Sequence, residues 1–599
     1  MSAKSSLFLK STVVVAMIVI ATWTTIPAIA QDNGKLIQGI PQDWTHRHLI
    51  FSTPTDKSLA ELMELNNNPR FVLQQLQRSR LSAHVPATIS AQEDLSANGV
   101  VHRTVPPHRD WAFSLGGGSV AQNMYPAKYS FNINDTPNCI TDYVAYGLNV
   151  AGSSSQANLV ALNELYSGTG GGFCGRTVPS VYWAYNVTTK TGGKVTTSPV
   201  LSFDGNEVIF VESSTSGGSV LHILRWNASD GGTVSAPKTP TQSQTSFGAC
   251  TGSSSCLVNI ALGTAAANIT TYSSPFYDYA DDVVYVGDDT GVLYRVTPVL
   301  GAGTPVVTKL TVSSGNALSG PVYDSTSGNI FVGAGTSLWA VKASTFTLQT
   351  HPSLQVGDSS CNTANNILFD SPIVDSSDGW VYEWATTGTD DTHTVVVQAH
   401  TSGTNSPSGS SWSAAATANV GEGDTTCNST AKFPTWTPNF DNTYYNGTLT
   451  SGHLWVCGRS NSSSAPELWE IPTSGTGGLF GTPSASGVIN ATLHAECSPM
   501  TEIFNTTSST DYLFFGEGLA GSFGSLYGFT LGSGTVTAIM GSPITYPSAT
   551  GGTSAIVMDN VSSVSQASSI YFTTLATSTT VCGSTSAYCA VKLTQAGLQ

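Results

Sequence analysis

The chain has 599 residues, a formal net charge of −16, only 10% charged residues, 40% hydrophobic residues and 59 glycines. The acidic balance argues against a nucleic-acid partner, because phosphate backbones are repelled. Periodic apolar runs argue against disorder, and many Gly, Ser and Thr with few helix formers point to an all-β protein.

Residues 1–30 read as a signal peptide. Lys4 and Lys10 supply the positive start, Val13 to Ala21 the apolar core, and Ala28-Ile29-Ala30 a small-residue cleavage site. Losing those two lysines takes the charge from −16 to −18. No later stretch is long and apolar enough to span a bilayer, so the expected location is secreted, periplasmic or cell surface.

Residues 31–120 form an N-terminal segment without repeats. Leu59, Leu62, Met63 and Leu65 keep helical spacing, and Asn68-Pro69 reads as a cap followed by Pro at the first position of a second helix reaching Leu81. His46-Arg47-His48 is the densest histidine cluster. On a strand both imidazoles would share a face and suit a metal, but no third ligand is near. The expectation is two exposed polar residues before a Leu49-Ile50-Phe51 strand.

From residue 121 to 599 a phrase recurs: Pro, two residues, an acid, a polar turn, an apolar run, then an aromatic or Leu pair. Strong copies begin at Pro199, Pro275, Pro321, Pro372, Pro438 and Pro499, by subtraction 46 to 76 residues apart. Weaker copies lie at Tyr129–Leu162 and Ala555–Phe572. A four-stranded propeller blade takes about 40–50 residues, so the predicted fold is all-β, a β-propeller of eight blades, with seven as the alternative count. The proline opens the strand nearest the axis, and Asp-Ser-Thr-Ser-Gly-Asn at 324–329 is turn chemistry.

The repeated acids are Asp204, Asp278, Asp324, Asp375, Asp441, Glu502 and Asp559. They could ring one face and hold a cation, but each is expected to accept backbone N–H groups in its own turn. Asp281-Asp282, Asp288-Asp289 and Asp390-Asp391 lack the ligand spacing of an EF-hand loop; no cofactor is predicted, with calcium the one open alternative. The ten cysteines suit an oxidising compartment. Cys250 with Cys256 and Cys582 with Cys589 bracket short polar loops and are the candidate disulfides. Sequential pairing would add 139–174, 361–427 and 457–497, though spacing alone leaves connectivity open.

Residues 330–343 (Ile-Phe-Val-Gly-Ala-Gly-Thr-Ser-Leu-Trp-Ala-Val-Lys-Ala) and 284–296 resemble repeats of the quinoprotein-like (PQQ-like) propellers. The chain also resembles a group of secreted bacterial propeller proteins through Ile40-Pro41-Gln42-Asp43-Trp44 and Met124-Tyr125-Pro126-Ala127-Lys128. The adjacent cysteines of the quinone-using members are absent, so the resemblance implies the fold and no quinone. No nucleophile elbow, zinc-protease or Walker motif occurs. The catalytic residues are therefore unknown. The expectation is a non-catalytic propeller binding a protein or carbohydrate, and the alternative is an extracytoplasmic hydrolase or lyase working in the central channel.

Overall fold

The structure is a computed structural model. It describes residues 39–52, 68–83, 108–131, 137–263, 270–361, 370–390, 392–423, 435–446, 450–461, 465–489, 495–505, 510–519, 523–532, 535–538, 551–560, 566–577, 581–582 and 587–594. The 1–30 segment, the first predicted helix and Cys427 lie outside these residues, as does the side chain of Cys361.

Eight sheets follow one another along the chain. Their inner strands are Ala127–Ser130, Val200–Leu201, Phe276–Asp278, Val322–Asp324, Ile373–Asp375, Asn439–Phe440, Thr501–Asn505 and Val557–Asp559, which open blades 1 to 8. Blade 4 shows how one repeat becomes one sheet. Tyr323 pairs with Ile330 across the Asp324 turn, then Val332 pairs with Trp339 and Leu338 with Leu354. Asn329–Ala334 is buried throughout, whereas the outermost strand of blade 3, Val306–Thr311, is mostly exposed. Apolar runs go where both faces are covered by neighbouring blades, and the outer edge alone meets water.

The ring closes. The inner strands of blades 8 and 1 touch, as do those of blades 1 and 2, 3 and 4, 4 and 5, and 6 and 7. Val144, Tyr146 and Leu162 of blade 1 share a core with Val557, Tyr571 and Ala590 of blade 8. A collar of hydrogen bonds joins neighbouring blades where the inner strands begin. The Tyr125 N–H donates to Ser198 Oγ and the Ser198 N–H to Ser274 Oγ (2.9 Å each). Ser273 Oγ donates to Ser319 O (2.7 Å), Thr501 Oγ1 to Ile556 O (3.0 Å), and the Ala555 N–H to Met124 O (3.1 Å). Ser198, Ser273, Ser274 and Ser319 stand just before the repeated Pro, so in blades 2 to 4 the repeat carries its own inter-blade link.

The last sheet borrows its outer strand. His108–Ser114, from before the repeats, pairs antiparallel with Cys589–Thr594, Ala112 opposite Val591. Chain start and chain end thus share one blade, and Asp110 meets Lys592 at 2.8 Å in its interior. Blade 2 adds Gln242–Gln244, parallel to Cys256–Ala261. Disulfides join Cys139–Cys174, Cys250–Cys256, Cys457–Cys497 and Cys582–Cys589. No helix among the described residues is long and apolar enough to cross a membrane.

Candidate functional site: the filled centre and the open mouth

Residues 39–52 cross the ring. Ile40–Gln42 adds a strand to the axial side of blade 1, with Pro41 opposite Tyr129. Seven residues later Leu49–Ile50 runs parallel to Val374–Asp375 on the axial side of blade 5, which stands opposite in a ring of eight. Between them Thr45–His48 forms one helical turn. Inner strands of two to five residues leave a hole at the axis of an eight-membered ring, and this segment fills it.

Trp44 is the main wedge. It is 1% exposed, its Nε1 donates to Pro275 O (3.1 Å) and its ring meets Phe276 edge-on. A Cβ at Gly320 would come within 3.0 Å of the Trp44 ring and 2.4 Å of Ser371 Oγ, so blade 4 approaches the wedge through bare backbone. Asp43 accepts the Thr45 N–H (3.0 Å) and the Leu201 N–H of blade 2 (3.3 Å). Ser52 donates its N–H to Asp375 (3.3 Å). Helix α1, Pro69–Ala83, covers the mouth at which the inner strands end. It is anchored by Arg70, which donates to Tyr277 O (2.9 Å) and lies over the Phe276 ring, and by Arg78, which pairs with Glu502 (2.9 Å) over Tyr445. Thus α1 is the second of the two predicted helices, and it caps the ring.

The histidine cluster differs from its sequence reading. His46 and His48 lie on a helical turn instead of a strand, so their rings do not share a face, and neither is exposed. His48 sits between Pro372 O (3.2 Å), Asp370 (3.9 Å) and Thr437 (3.4 Å). Burial pushes the pKa of both imidazoles below the usual value, against the pull of Asp43 on His46 and of Asp370 on His48. Thr437 also donates its hydroxyl to Asp370. A hydroxyl, an imidazole and a carboxylate therefore meet, but Thr437 and His48 are closed to solvent.

The repeated acids divide. Asp204, Asp278, Asp324, Asp375 and Asp441 each accept N–H groups from their own turns, for example Asp324 from Thr326 and Ser327. Glu502 and Asp559 instead bind Arg78 and the buried Lys128. No group of three or more His, Cys, Asp or Glu able to hold a metal occurs among the described residues. Asp288 likewise takes the Thr290 N–H in its own loop, while Asp282 holds the next connection, taking the N–H groups of Val299, Leu300 and Gly301.

At the other mouth, where the inner strands begin, the described residues enclose a cleft of about 350 Å³ between blades 7, 8 and 1. Gly117, Gly118, Gly518, Gly551, Tyr588 and Asn149 are among the residues that line it. Gln122 donates to Glu496 (2.5 Å) across it. These residues precede or end strands in Gly-rich connectors. The only sequence cue to them was Leu115-Gly116-Gly117-Gly118, which reads as a path into the first blade.

No family profile matches the chain, and no curated protein does. Among solved structures it is similar to BamB from Moraxella catarrhalis, at 10% identity and a TM-score of 0.38, over 82% of this chain and 98% of that one. It is also similar to the Dos1 propeller, at 9% identity and 0.42, over 81% and 95%. A chain of the mitotic checkpoint complex gives 9% and 0.34, over 84% and 98%.

Proposed function

We propose that this protein is a secreted, non-catalytic propeller that binds a protein or carbohydrate ligand at the mouth where the inner strands begin. The observation that carries the reading is the asymmetry among the described residues: one mouth is capped by α1 and the centre filled, while the other keeps a cleft of about 350 Å³. That volume falls in the ordinary range for ligand sites, roughly 300–1,000 Å³. Its glycines line it without side-chain bulk, and Tyr588 adds an aromatic ring. Both suit a sugar ring or an extended peptide. Four disulfides support an oxidising location. A hydrolase or lyase in the central channel finds little support, because residues 43–48 occupy that channel.

A thermal-shift panel of oligosaccharides and extended peptides tests the reading, since a ligand of the native state raises the melting temperature. The expected hit loses about tenfold in affinity on Tyr588→Ala or Gln122→Ala. Hits indifferent to both substitutions, or turnover of a panel member at this cleft, would refute it.

A further inference from the structure

A second, smaller cavity lies at the capped mouth, between the crossing segment, α1 and blades 7 and 8. It measures about 20 Å³, and Arg47, Arg70, Arg78, His46, Tyr445 and Glu502 are among its walls. Three cations and one carboxylate around one cavity form a local positive site in a chain of net charge −16.

Among the described residues Arg78 alone of the three is ion-paired: it holds Glu502 at 2.9 and 3.4 Å, and also Asn442 at 2.6 Å. Arg70 is held by two neutral acceptors, Thr45 and Tyr277. The Arg47 guanidinium has less: among the described residues it makes one hydrogen bond, to the backbone O of Glu502 at 3.4 Å, and no ion pair.

Three buried nitrogens on this cavity's walls lack a partner: Arg47 Nη2, Arg78 Nε and His46 Nε2. His46 Nδ1 lies 3.1 Å from the Asp43 N–H and 3.3 Å from the Asp43 O, so its neighbours accommodate either tautomer. The two guanidinium nitrogens are cationic N–H donors, and the tautomer with its proton on Nε2 makes His46 a third. A buried guanidinium without a counter-charge is costly, and buried charges are ordinarily paired.

We propose that this cavity binds one compact monoanion, a halide or the carboxylate of a small organic acid, between Arg47, Arg78 and His46. The volume sets the size. About 10–15 Å³ admits a water-sized group, so about 20 Å³ excludes a phosphate ester or a sugar acid. Because its donors come from the crossing turn and α1, with Glu502 of blade 7 beside them, the bound anion fastens the cap to the ring.

The test uses the full chain, melted in sodium bromide, sodium formate or sodium gluconate at one ionic strength. Gluconate is too large to enter and gives the baseline. Bromide or formate is expected to raise the melting temperature along a saturating curve, and Arg47→Gln to return that curve to the baseline. Bromide-soaked wild-type crystals read the site without any variant: an anomalous peak is expected within ~3.5 Å of Arg47 Nη2. A bromide peak displaced by formate assigns a shared halide and carboxylate site. Stabilisation by formate without a bromide peak assigns the carboxylate alone. Coincident curves for all three salts with only a water beside Arg47 would overturn the proposal, as would an undiminished response in Arg47→Gln.

Discussion

Asp110 and Lys592 hold the two ends of the chain in one blade, and breaking that pair should loosen the blade locally. The Lys592 side chain is 0% exposed and that of Asp110 3%, with Nζ to Oδ2 at 2.8 Å. Nζ also donates to Gln566 O at 2.7 Å, and the Thr594 hydroxyl donates to the same Asp110 oxygen. Asp110→Asn keeps the shape and removes the charge. Leaving one partner of a buried pair uncompensated costs about 3–5 kcal/mol. The lower end applies here, because Asp559 still pulls on Lys592. About 3 kcal/mol is roughly 150-fold in an opening equilibrium. A ring of repeats need not unfold in one step, so the readout is amide hydrogen exchange in residues 569–573 and 589–594 rather than a global midpoint. Exchange there should accelerate about 150-fold, and blade 4 should be unaffected. Adding Lys592→Met removes the stranded charge and should return exchange to within about tenfold of wild type, since replacing both partners of a buried pair is often near neutral. Asp110→Asn exchange within about threefold of wild type, or a double variant as fast as the single, would refute the account.

Trp44→Ala empties the wedge and should cost about 3–5 kcal/mol, seen as a lower melting temperature with faster exchange in blades 3 and 4; an unchanged melting temperature would show the centre is not held by it. His46 and His48 have depressed folded pKa values, so the unfolded chain binds more protons below about pH 6.5 and stability should fall as pH drops from there; His48→Asn should flatten that arm. His453 is opposite in sign. Burial opposes its proton, but Asp441 (2.7 Å) and Glu470 (3.1 Å) outweigh that and raise its pKa. Its contribution should therefore be complete below about pH 6.5 and be lost as pH rises through the folded value, a loss absent in His453→Gln. Loop-closure entropy ranks two disulfides: cutting Cys139–Cys174, separation 35, should cost about 3.8 kcal/mol and cutting Cys250–Cys256, separation 6, about 2.4, measured by denaturation of the Ser variants.

The ring was legible because its information is local and repeated. Pro275 to Asp278, the apolar Val283–Gly287 run and the Val292–Thr297 run each state one strand, and they pair in that order. The borrowed strand His108–Ser114 carries no such phrase. An outer strand needs only an edge to pair with, and the pairing of Ala112 with Val591 joins positions that no local pattern relates. The acids were half legible for the same reason. Where the acceptor serves its own turn, as in Asp324, sequence neighbours suffice. Glu502 and Asp559 occupy the same place in the phrase, yet their partners Arg78 and Lys128 come from elsewhere in the chain.

The centre was the least legible part, although its residues were conspicuous. Asp43, His46, Arg47 and His48 crowd four polar, titratable groups into six positions of a chain that is only 10% charged. Read locally, such a run is a solvated face. What reverses the reading is ring size. Eight blades hold their short inner strands too far from the axis for Val, Ser and Pro side chains to meet there, so the hole must be filled from outside the repeats. The ring's lining is rich in backbone carbonyls, such as Pro275 O, Tyr277 O and Pro372 O, that need donors. Trp44, Arg70 and His48 bring N–H groups on bulky frames, which satisfies the carbonyls and supplies the volume together. Ile40–Trp44 and Met124–Lys128 also come together in space. Gln42 pairs with Lys128, Lys128 reaches Asp559, and Met124 O receives the Ala555 N–H. The place where the crossing segment enters is thus the place where the ring closes.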